Sequence, residues 1–341
     1  MRVLLTGHLG YLGTVMSPIL QAAGHDVIGL DTGLYAASVL GPVPVDPPAL
    51  PIDLRDVTAA DLQGFDAVVH LAALSNDPLG ALDPELTYAI NHRASVALAE
   101  AAKEAGVGRF LYASTCSVYG AAGDGLVGEE APLAPVTPYA ESKVWAERDI
   151  LAMTDSDFAP TALRNATAFG FSPRLRADIV LNNLVGHALL GGEILVLSDG
   201  TPWRPLVHAA DIADSFAAVL AAPVDNVAGR ALNVGDERNN VRVSEIAEEV
   251  ARAVPGAGVR ITGEAGADPR SYRVDFSALR EALPGFACRR SVADGARELV
   301  AAYREFGLDR AGFENTFVRL RTLQARQDTG ELTEDLRPAQ P

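Results

Sequence analysis

The chain has 341 residues, of which 48% are hydrophobic and 21% are charged, and its formal net charge is −16. A chain of this length and composition can bury a large core and suits two lobes that share an interface. The negative charge disfavours a nucleic-acid-binding surface, so we expect no nucleic-acid partner. It also means that a pocket for a phosphorylated ligand must gather its arginines locally.

The cysteines, the histidines and the hydropathy of the chain disfavour further classes of protein. Cys116 and Cys288 are far apart and do not form a disulfide framework, and the six histidines are scattered without metal-ligand spacing. The first thirty residues lack the basic start and cleavage site of a signal peptide, and no window is apolar for long enough to cross a membrane. We therefore predict a cytoplasmic protein with no bound metal and no membrane partner.

A strand, a glycine turn, a helix and a second strand open the chain. The apolar run at residues 2–6 is short and rich in branched side chains, as in a buried parallel strand. Gly7, Gly10 and Gly13 follow it, and the second strand ends at Asp31. Such glycines turn the chain, let its backbone approach a pyrophosphate and let the helix pack close to the strand. The segment therefore predicts a dinucleotide site at the helix N-terminus.

The acid at the end of the second strand indicates which dinucleotide is bound. Asp31 lies about twenty residues beyond the turn, where a carboxylate accepts hydrogen bonds from an adenosine ribose and repels a 2′-phosphate. This favours NAD over NADP. Asp53, at the end of an expected third strand over 52–54, could meet an adenine amino group.

Strands alternate with helices over the first half of the chain, which predicts an α/β fold with a Rossmann-type, doubly wound parallel sheet. The pattern loosens after Gly170, which suggests a smaller, mixed α/β substrate-binding lobe. The expected organisation is an NAD-binding domain over 1–169, a substrate-binding lobe over 170–330, a segment 205–235 that packs back on the first domain, and a frayed tail over 331–341.

A second motif carries the chemistry. Tyr139 and Lys143 lie four residues apart in a predicted helix over 139–153, which places them on one face. A free tyrosine has a pKa of about 10 and is a poor base at neutral pH. A neighbouring lysine cation, together with the positively charged nicotinamide, should favour the phenolate and lower that pKa, so that the phenolate can take a proton from a substrate hydroxyl while a hydride leaves for NAD. Thr115, at the end of an earlier strand, is the third member of this group and supplies a second hydroxyl.

Taken together, these motifs resemble the extended short-chain dehydrogenase/reductase superfamily, and within it the NAD-dependent sugar-nucleotide epimerases and dehydratases of the UDP-glucose 4-epimerase type. The resemblance rests on the glycine turn, Asp31, the segments 70–73 and 115–120, the Tyr139/Lys143 pair and the run 204–213. It implies that Thr115 hydrogen-bonds the sugar hydroxyl, that Tyr139 is the acid/base, and that Lys143 holds the ribose. The NAD-binding residues it implies are Gly7, Gly10, Tyr11, Leu12, Gly13, Asp31, Asp53, Leu54, Leu71, Ala72, Ala73, Asn91, Tyr139, Lys143 and Ala166.

The resemblance also implies a nucleoside-diphosphate sugar as substrate. Arg204 matches an arginine that binds phosphate in the family, and Arg270 and Asn183 resemble further phosphate-binding residues. Thr167 stands where relatives carry a substrate-binding asparagine. Homodimers of the family form through a four-helix bundle, which implies that helices 84–104 and 139–153 pair with those of a second copy.

The two positions after Thr115 discriminate among reactions. The family's 4,6-dehydratases place Asp and then Glu there, whereas this chain has Cys116 and Ser117. We expect Cys116 to be packed, because adjacent residues of an extended segment point in opposite directions. The expected activity is a 4-epimerase that needs only hydride transfer. The alternatives are a keto-sugar-nucleotide reductase or dehydrogenase, a 4,6-dehydratase whose acids come from elsewhere, and a non-catalytic NAD-sensing protein, which the presence of Thr115, Tyr139 and Lys143 disfavours.

Overall fold

The computed structural model describes residues 1–75, 77–123, 125–263 and 270–339. The strands in these ranges are β1 (Arg2–Thr6), β2 (Asp26–Leu30), β3 (Ala49–Leu50), β4 (Ala67–His70), β5 (Arg109–Thr115), β6 (Leu126–Val127), β7 (Ala159–Asn165), β8 (Thr167–Phe169), β9 (Glu193–Val196), β10 (Trp203–His208), β11 (Arg230–Val234), β12 (Asn240–Arg242), β13 (Gly258–Ile261) and β14 (Arg273–Val274). The helices are α1 (Tyr11–Ala22), α2 (Asp77–Leu82), α3 (Pro84–Thr87), α4 (Ala94–Glu104), α5 (Pro138–Leu151), α6 (Val180–Gly191), α7 (Ala209–Ala221), α8 (Val224–Val227), α9 (Val243–Ala253), α10 (Ser277–Ala282), α11 (Val292–Glu305) and α12 (Arg319–Asp328). Short 3-10 turns cover Leu54–Asp56, Ala59–Leu62, Cys116–Tyr119 and Glu237–Asn239, and π-helical turns cover Tyr88–Arg93 and Gly312–Thr316.

The largest sheet has seven strands in the order β11-β7-β5-β4-β1-β2-β3 within the described ranges, and every pair is parallel. Strand β1 lies inside this sheet and is apolar on both faces, and Val3, Leu4 and Leu5 are fully buried. The chain passes from β1 to β2 and β3 on one side, and then returns to β4 on the other. This reversal of strand order creates the crevice where α/β sheets bind ligands.

Helices cover both faces of this sheet, which confirms the predicted doubly wound α/β fold. One face packs against α1, α7 and α10 through side chains such as Met16, Phe216 and Leu279. The other face packs against α4 and α5 through Leu98 and Ile150. Two separate apolar layers therefore hold the carboxyl ends of the strands in fixed positions.

The second half of the chain builds smaller sheets around its own apolar cluster. Strands β8, β10 and β12 form one sheet and β9 pairs with β13, while α6, α9 and α11 pack together through Leu181, Ile246 and Leu299. Helix α7 instead packs on the seven-stranded sheet, and strand β11 is an edge strand of that sheet. The division into lobes at residue 170 remains a prediction. Among the described helices, each is too short or too polar to cross a lipid bilayer.

The C-terminal segment differs from the expected frayed tail over 331–341. Residues 331–339 fold back after α12, and Leu332 and Leu336 are buried in a small apolar cluster with Leu74 and Leu323. The bidentate ion pair of Arg337 with Asp56 adds a polar attachment. The expectation of fraying was therefore wrong for residues 331–339. The sequence of this segment looks polar, but its two buried leucines and the ion pair attach it to the rest of the protein.

Two element boundaries also differ from the prediction. The third strand lies at β3, and the predicted segment 52–54 instead enters a 3-10 turn in which the Asp53 side chain accepts a hydrogen bond from the Arg55 backbone N–H. The helix expected over 84–104 contains the π-helical turn at Tyr88–Arg93. Local capping interactions produce the first difference, and hydrophobic periodicity alone does not encode them.

A buried ion pair connects β7 to α5. The Glu147 carboxylate accepts from the Arg164 guanidinium at 2.6 Å and from Ser114 Oγ at 2.6 Å, and both charged side chains are nearly inaccessible to solvent. Glu147→Ala should lower the free energy of unfolding by about 3 kcal/mol, because it leaves the Arg164 cation buried without its counter-charge. Urea unfolding measures this change.

The control for this prediction is Glu193→Ala, which removes an exposed ion pair with Arg260 and should leave the unfolding midpoint nearly unchanged. Equal midpoints for the two variants would show that the buried pair does not stabilise the junction of β7 and α5.

Candidate active site

A cavity of about 920 Å³ lies at the carboxyl ends of β1, β4, β5 and β7. It begins at the glycine turn after β1 and extends past α5 toward β10. The structure brings all but one of the predicted site residues to its wall. Their individual roles remain predictions, but their common location shows that the sequence motifs belong to one site.

The glycine turn forms a cradle that larger residues would fill. Gly7 has a φ of +73°, and a Cβ atom there would lie 2.8 Å from the Ala72 backbone nitrogen. A Cβ atom on Gly13 would lie 2.2 Å from the Gly7 carbonyl oxygen. Only glycine permits these approaches, so α1 begins directly against the end of β1. Its N-terminal N–H groups are thus available to a pyrophosphate, and the residues present fit NAD.

Asp31 lies beside this cradle on the cavity wall. Its carboxylate accepts hydrogen bonds from the backbone N–H groups of Leu9 at 3.0 Å and Gly33 at 2.8 Å. These bonds fix the carboxylate where a ribose would approach. Asp53 and Leu54 also line the cavity, but both oxygens of Asp53 accept from the Arg55 side chain. Burial raises the pKa of Asp53, and the bonds from Arg55 outweigh it and hold that pKa below its usual value.

Asn91 is the predicted cofactor residue that the structure places elsewhere. Its side chain is fully buried and is not among the described residues that line the cavity. Its amide accepts from the Leu74 backbone N–H at 2.8 Å and donates to the Leu74 carbonyl oxygen at 3.0 Å and to Ser142 Oγ at 3.3 Å. The Asn91 side chain therefore fixes the segment after β4, and its predicted contact with the cofactor stays a prediction.

Thr115, Tyr139 and Lys143 all line the cavity. The Thr115 side chain lies close enough to the Tyr139 hydroxyl to lower the pKa of that tyrosine. The Lys143 ammonium donates to the Ala113 carbonyl oxygen at 2.9 Å and lies 4.7 Å from the centre of the Tyr112 ring. The helix start that places them is specified locally, because Thr137 caps α5 and Pro138 occupies its first turn.

Burial has a large effect on the electrostatics of this group. Burial and, less strongly, Asp77 raise the pKa of Tyr139 to about 12, against the opposing effects of Arg176, Thr115 and Arg270. Burial also lowers the pKa of Lys143 to about 7. The decrease expected for the Tyr139 pKa depends on the positive nicotinamide as well as on Lys143, so it stays a prediction for the NAD-bound protein.

Cys116 and Ser117 face in different directions, as expected. The Cys116 thiol is buried against the Arg164 carbonyl oxygen at 3.1 Å, and burial raises its pKa well above the usual value. Ser117 lines the cavity. The prediction that Cys116 is packed is confirmed. His208 is also structural, since it caps α7 and contacts Glu298 at 2.7 Å.

The predicted substrate residues lie toward β8 and β10. Thr167 and Asn183 line the cavity together with Ala166, and Asn183 donates to the Ala177 carbonyl oxygen at 3.0 Å. Arg204 donates to the carbonyl oxygens of Trp203 and Arg270. The Arg270 guanidinium in turn pairs with Asp77 at 2.7 Å. The two arginines predicted to bind phosphate are therefore adjacent.

Sequence reasoning missed several charged residues of the wall. Asp77 accepts from Thr137 Oγ1 at 2.6 Å in addition to its pair with Arg270. Arg176 is buried, pairs with Asp178 at 2.9 Å and reaches toward Ser75. The Asp-Pro pair that begins α2 is a helix-start signal that could have identified Asp77. No comparable signal in the irregular segment after β8 identifies Arg176. Within the described ranges, no cluster of metal-ligating side chains is present.

The fold and the cavity define an NAD-binding enzyme of the short-chain dehydrogenase/reductase type. The family model for NAD-dependent epimerases and dehydratases matches residues 3–235, and the chain belongs to this family. Structures similar to this chain are complexed with NAD, in agreement with the predicted cofactor.

Similar proteins include both epimerases and dehydratases. The chain is 29% identical over 335 residues to a dTDP-glucose 4,6-dehydratase from Streptomyces niveus, covering 89% of this chain and 93% of that protein. It is also 29% identical over 333 residues to the UDP-glucose 4-epimerase of Mycolicibacterium smegmatis, covering 89% and 99%. The dTDP-glucose 4,6-dehydratase of Streptomyces venezuelae with NAD bound superposes with a TM-score of 0.77 at 28% identity, covering 92% and 100%. The comparisons therefore do not distinguish the reaction.

The glycine cradle gives a direct test of the cofactor site. Gly13→Ala should weaken NAD binding at least tenfold, because the new methyl group forces α1 away from the Gly7 carbonyl oxygen. Isothermal titration calorimetry with NAD measures the change. The matched control is Gly108→Ala, since a Cβ there would meet only the Asp66 carbonyl oxygen at 4.0 Å. Unchanged affinity in Gly13→Ala would place the pyrophosphate elsewhere.

Proposed function

We propose that the protein is an NAD-dependent sugar-nucleotide 4-epimerase. The observation that carries this proposal is that Thr115 and Tyr139 line one cavity, with Cys116 packed inward and an uncharged Ser117 beside it. This group can remove and return a hydroxyl proton. It has no carboxylate at the two positions after Thr115 that would protonate a leaving hydroxyl, so hydride transfer is the reaction that it supports best.

The chain's own residues perform the proton chemistry. Thr115 orients the C4 hydroxyl of the sugar, and Tyr139 takes its proton as the C4–H bond breaks. Bound NAD, held at the glycine turn and Asp31, would supply a hydride acceptor and donor, and the 4-keto sugar must turn over between the two transfers so that its opposite face receives the hydride. Tyr139 then gives the proton back to the C4 oxygen, so the protein ends in its starting state. Lys143 holds the ribose beside Tyr139.

The other end of the cavity suits the nucleoside diphosphate. Arg204 and Arg270 supply positive charge in a protein of net charge −16, and a diphosphate needs such local cations. Thr167 and Asn183 line the wall between them and Tyr139 and would bind the sugar and the adjacent phosphate. The sugar then lies between the phosphate group and the reacting centre, as transfer at C4 requires.

Quaternary structure and location form part of this proposal. Helix α5 packs beside the π-helical turn that precedes α4, and the half-buried Trp145 ring lies 4.9 Å from that of Tyr88. This helix pair could form a four-helix bundle with a second copy, which gives a homodimer. A cytoplasmic location agrees with a sugar-nucleotide substrate.

One observation favours a second activity. Asp77 lines the cavity and is close enough to influence Tyr139. A carboxylate there could take part in water elimination, as a 4,6-dehydratase requires. A reductase of keto-sugar nucleotides would use the same Tyr139 but consume reduced cofactor.

Proton NMR with UDP-, dTDP-, GDP- and CDP-sugars and no added NAD tests the main proposal. We expect one sugar to equilibrate with a product that shows a new anomeric signal, because the hydride returns to the substrate. Tyr139→Phe, which keeps the ring and removes the proton acceptor, should reduce the rate at least 100-fold. Conversion only of a keto sugar with added NADH or NADPH would exclude the epimerase and establish the reductase.

The same spectra test the dehydratase. Elimination from a hexose would give a 4-keto-6-deoxy product with a new methyl signal. If Asp77 is its acid/base, Asp77→Asn should abolish that signal, whereas Asp178→Asn, which alters another wall carboxylate, should leave it. For an epimerase, Asp77→Asn should retain the anomeric exchange within about tenfold, because the carboxylate takes no proton.

A further inference from the structure

Arg319, at the start of α12, reaches into the cavity from a part of the chain that the family model does not match. Its side chain is 1% exposed and lies 4.1 Å above the centre of the Tyr35 ring. One nitrogen, Nη2, donates to the Arg174 carbonyl oxygen at 3.2 Å. The other, Nη1, is buried and has no hydrogen-bond partner within the described residues. A buried cationic donor without an acceptor is rare.

The neighbouring Tyr35 also has a polar group without a hydrogen-bond partner. Its hydroxyl is buried and has no hydrogen-bond partner in the described part of the chain, and its side chain also lines the cavity. Two adjacent donors thus lack an acceptor at one place on the wall. Leaving such groups unpaired is unfavourable, so this arrangement is suited to a ligand that brings acceptor oxygens.

The position of these donors indicates which part of a ligand they meet. Tyr35 lies four residues after Asp31, which the dinucleotide motif places at the adenosine ribose. Arg319 interacts electrostatically with Arg176, Tyr35 and Asp178, and more weakly with Asp31. The loop after Asp31 carries one donor, Tyr35, and the ring of Tyr35 packs against the other donor, Arg319. This loop borders the adenosine half of a dinucleotide, whose ribose and phosphate supply acceptor oxygens.

The segment that carries Arg319 is fixed to the NAD-binding half at several points. We call residues 319–339 the C-terminal strap. Its Arg326 donates to the carbonyl oxygens of Gly33 and Leu34, which precede Tyr35. Further along, Arg55 donates to the Asp335 carbonyl oxygen at 2.8 Å. The strap therefore holds the loop after Asp31 in place.

Leu336 of the strap enters the cavity wall in an unusual conformation. It has a φ of +59°, which is unfavourable for a branched residue, yet it is buried and lines the cavity. The ion pair of the next residue, Arg337, with Asp56 and the hydrogen bond from the Leu336 N–H to the Thr333 carbonyl oxygen hold it there. Strain of this kind persists where the surroundings impose it and is common at ligand contacts.

We propose that the C-terminal strap completes the NAD site: Arg319 and Tyr35 donate hydrogen bonds to the ribose–phosphate oxygens of the adenosine half, and Leu336 covers that half. The strap thereby slows the release of NAD. This proposal rests on NAD binding and not on the 4-epimerase reaction, so it holds whichever sugar chemistry the enzyme performs.

Tyr35→Phe is the sharpest test, because it removes only a hydroxyl that has no protein partner. NAD affinity, measured by calorimetry on protein stripped of nucleotide, should fall about fivefold or more, while the thermal midpoint of that protein stays equal or rises. Arg319→Met should weaken NAD and ADP-ribose binding at least tenfold and leave the affinity for nicotinamide mononucleotide unchanged. The control is Arg321→Met, which changes an exposed arginine of the same helix.

Arg337→Ala tests the attachment of the strap and replaces no residue of the cavity wall. It removes the pair with Asp56, and the half-time for loss of bound NAD during dialysis should shorten severalfold. Unchanged NAD affinity in both Tyr35→Phe and Arg319→Met would overturn the proposal. Equal weakening of nicotinamide mononucleotide by Arg319→Met would also overturn it, since that result indicates a general loss of structure. Loss of NAD affinity with intact folding supports it even if no epimerase activity is found.

Discussion

The close approach of helix α1 to the end of β1 is the constraint on which the rest of the structure depends. Because a Cβ atom on Gly13 would lie 2.2 Å from the Gly7 carbonyl oxygen, the helix can begin there only without one. The helix N-terminus is thus fixed at the point where the strand order reverses. Strand β4 pairs directly with β1, and β5 pairs with β4. Ala72, shortly after the end of β4, and Thr115, the last residue of β5, therefore line the same cavity. One backbone contact therefore sets the position of the predicted cofactor site relative to the hydroxyls of Thr115 and Tyr139.

Charge is distributed unevenly to serve this cavity. The protein carries a net charge of −16, yet the described residues of the cavity wall include more cationic than acidic side chains. The cationic ones are Arg55, Lys143, Arg176, Arg204, Arg270 and Arg319, and the acidic ones are Asp31, Asp53, Asp77 and Asp178. Most of the acids are bound to arginines, which keeps the wall neutral to positive where phosphates are expected. An acidic exterior with such a pocket directs anionic ligands to one place.

The sequence predicted the part of the molecule that local chemistry encodes. Gly7, Gly10, Gly13 and the spacing of Tyr139 and Lys143 have few physical alternatives, so the sheet and the centre of the site followed from them. The structural role of Asn91 was not foreseen, because a buried amide can bind the backbone as well as a ligand, and periodicity does not separate the two cases. The 331–339 segment was missed because its attachment depends on Asp56, which is distant in sequence. The burial that raises the pKa of Tyr139 was not predictable from residue spacing either, because it depends on the tertiary structure.

The choice between epimerisation and elimination depends on whether an acid can reach the sugar beside Tyr139. Cys116 is directed away from the cavity and its thiol stays protonated, so it neither gives nor takes a proton at neutral pH. Ser117 reaches the cavity but is a weak acid and a weak base. Asp77 is close, but Arg270 and Thr137 bind its oxygens, so the carboxylate is held away from a leaving hydroxyl. Elimination would require that pair to open, whereas transfer at C4 requires only Thr115, Tyr139 and the positive charge of bound NAD. This difference is the physical reason for which we propose hydride transfer without loss of water.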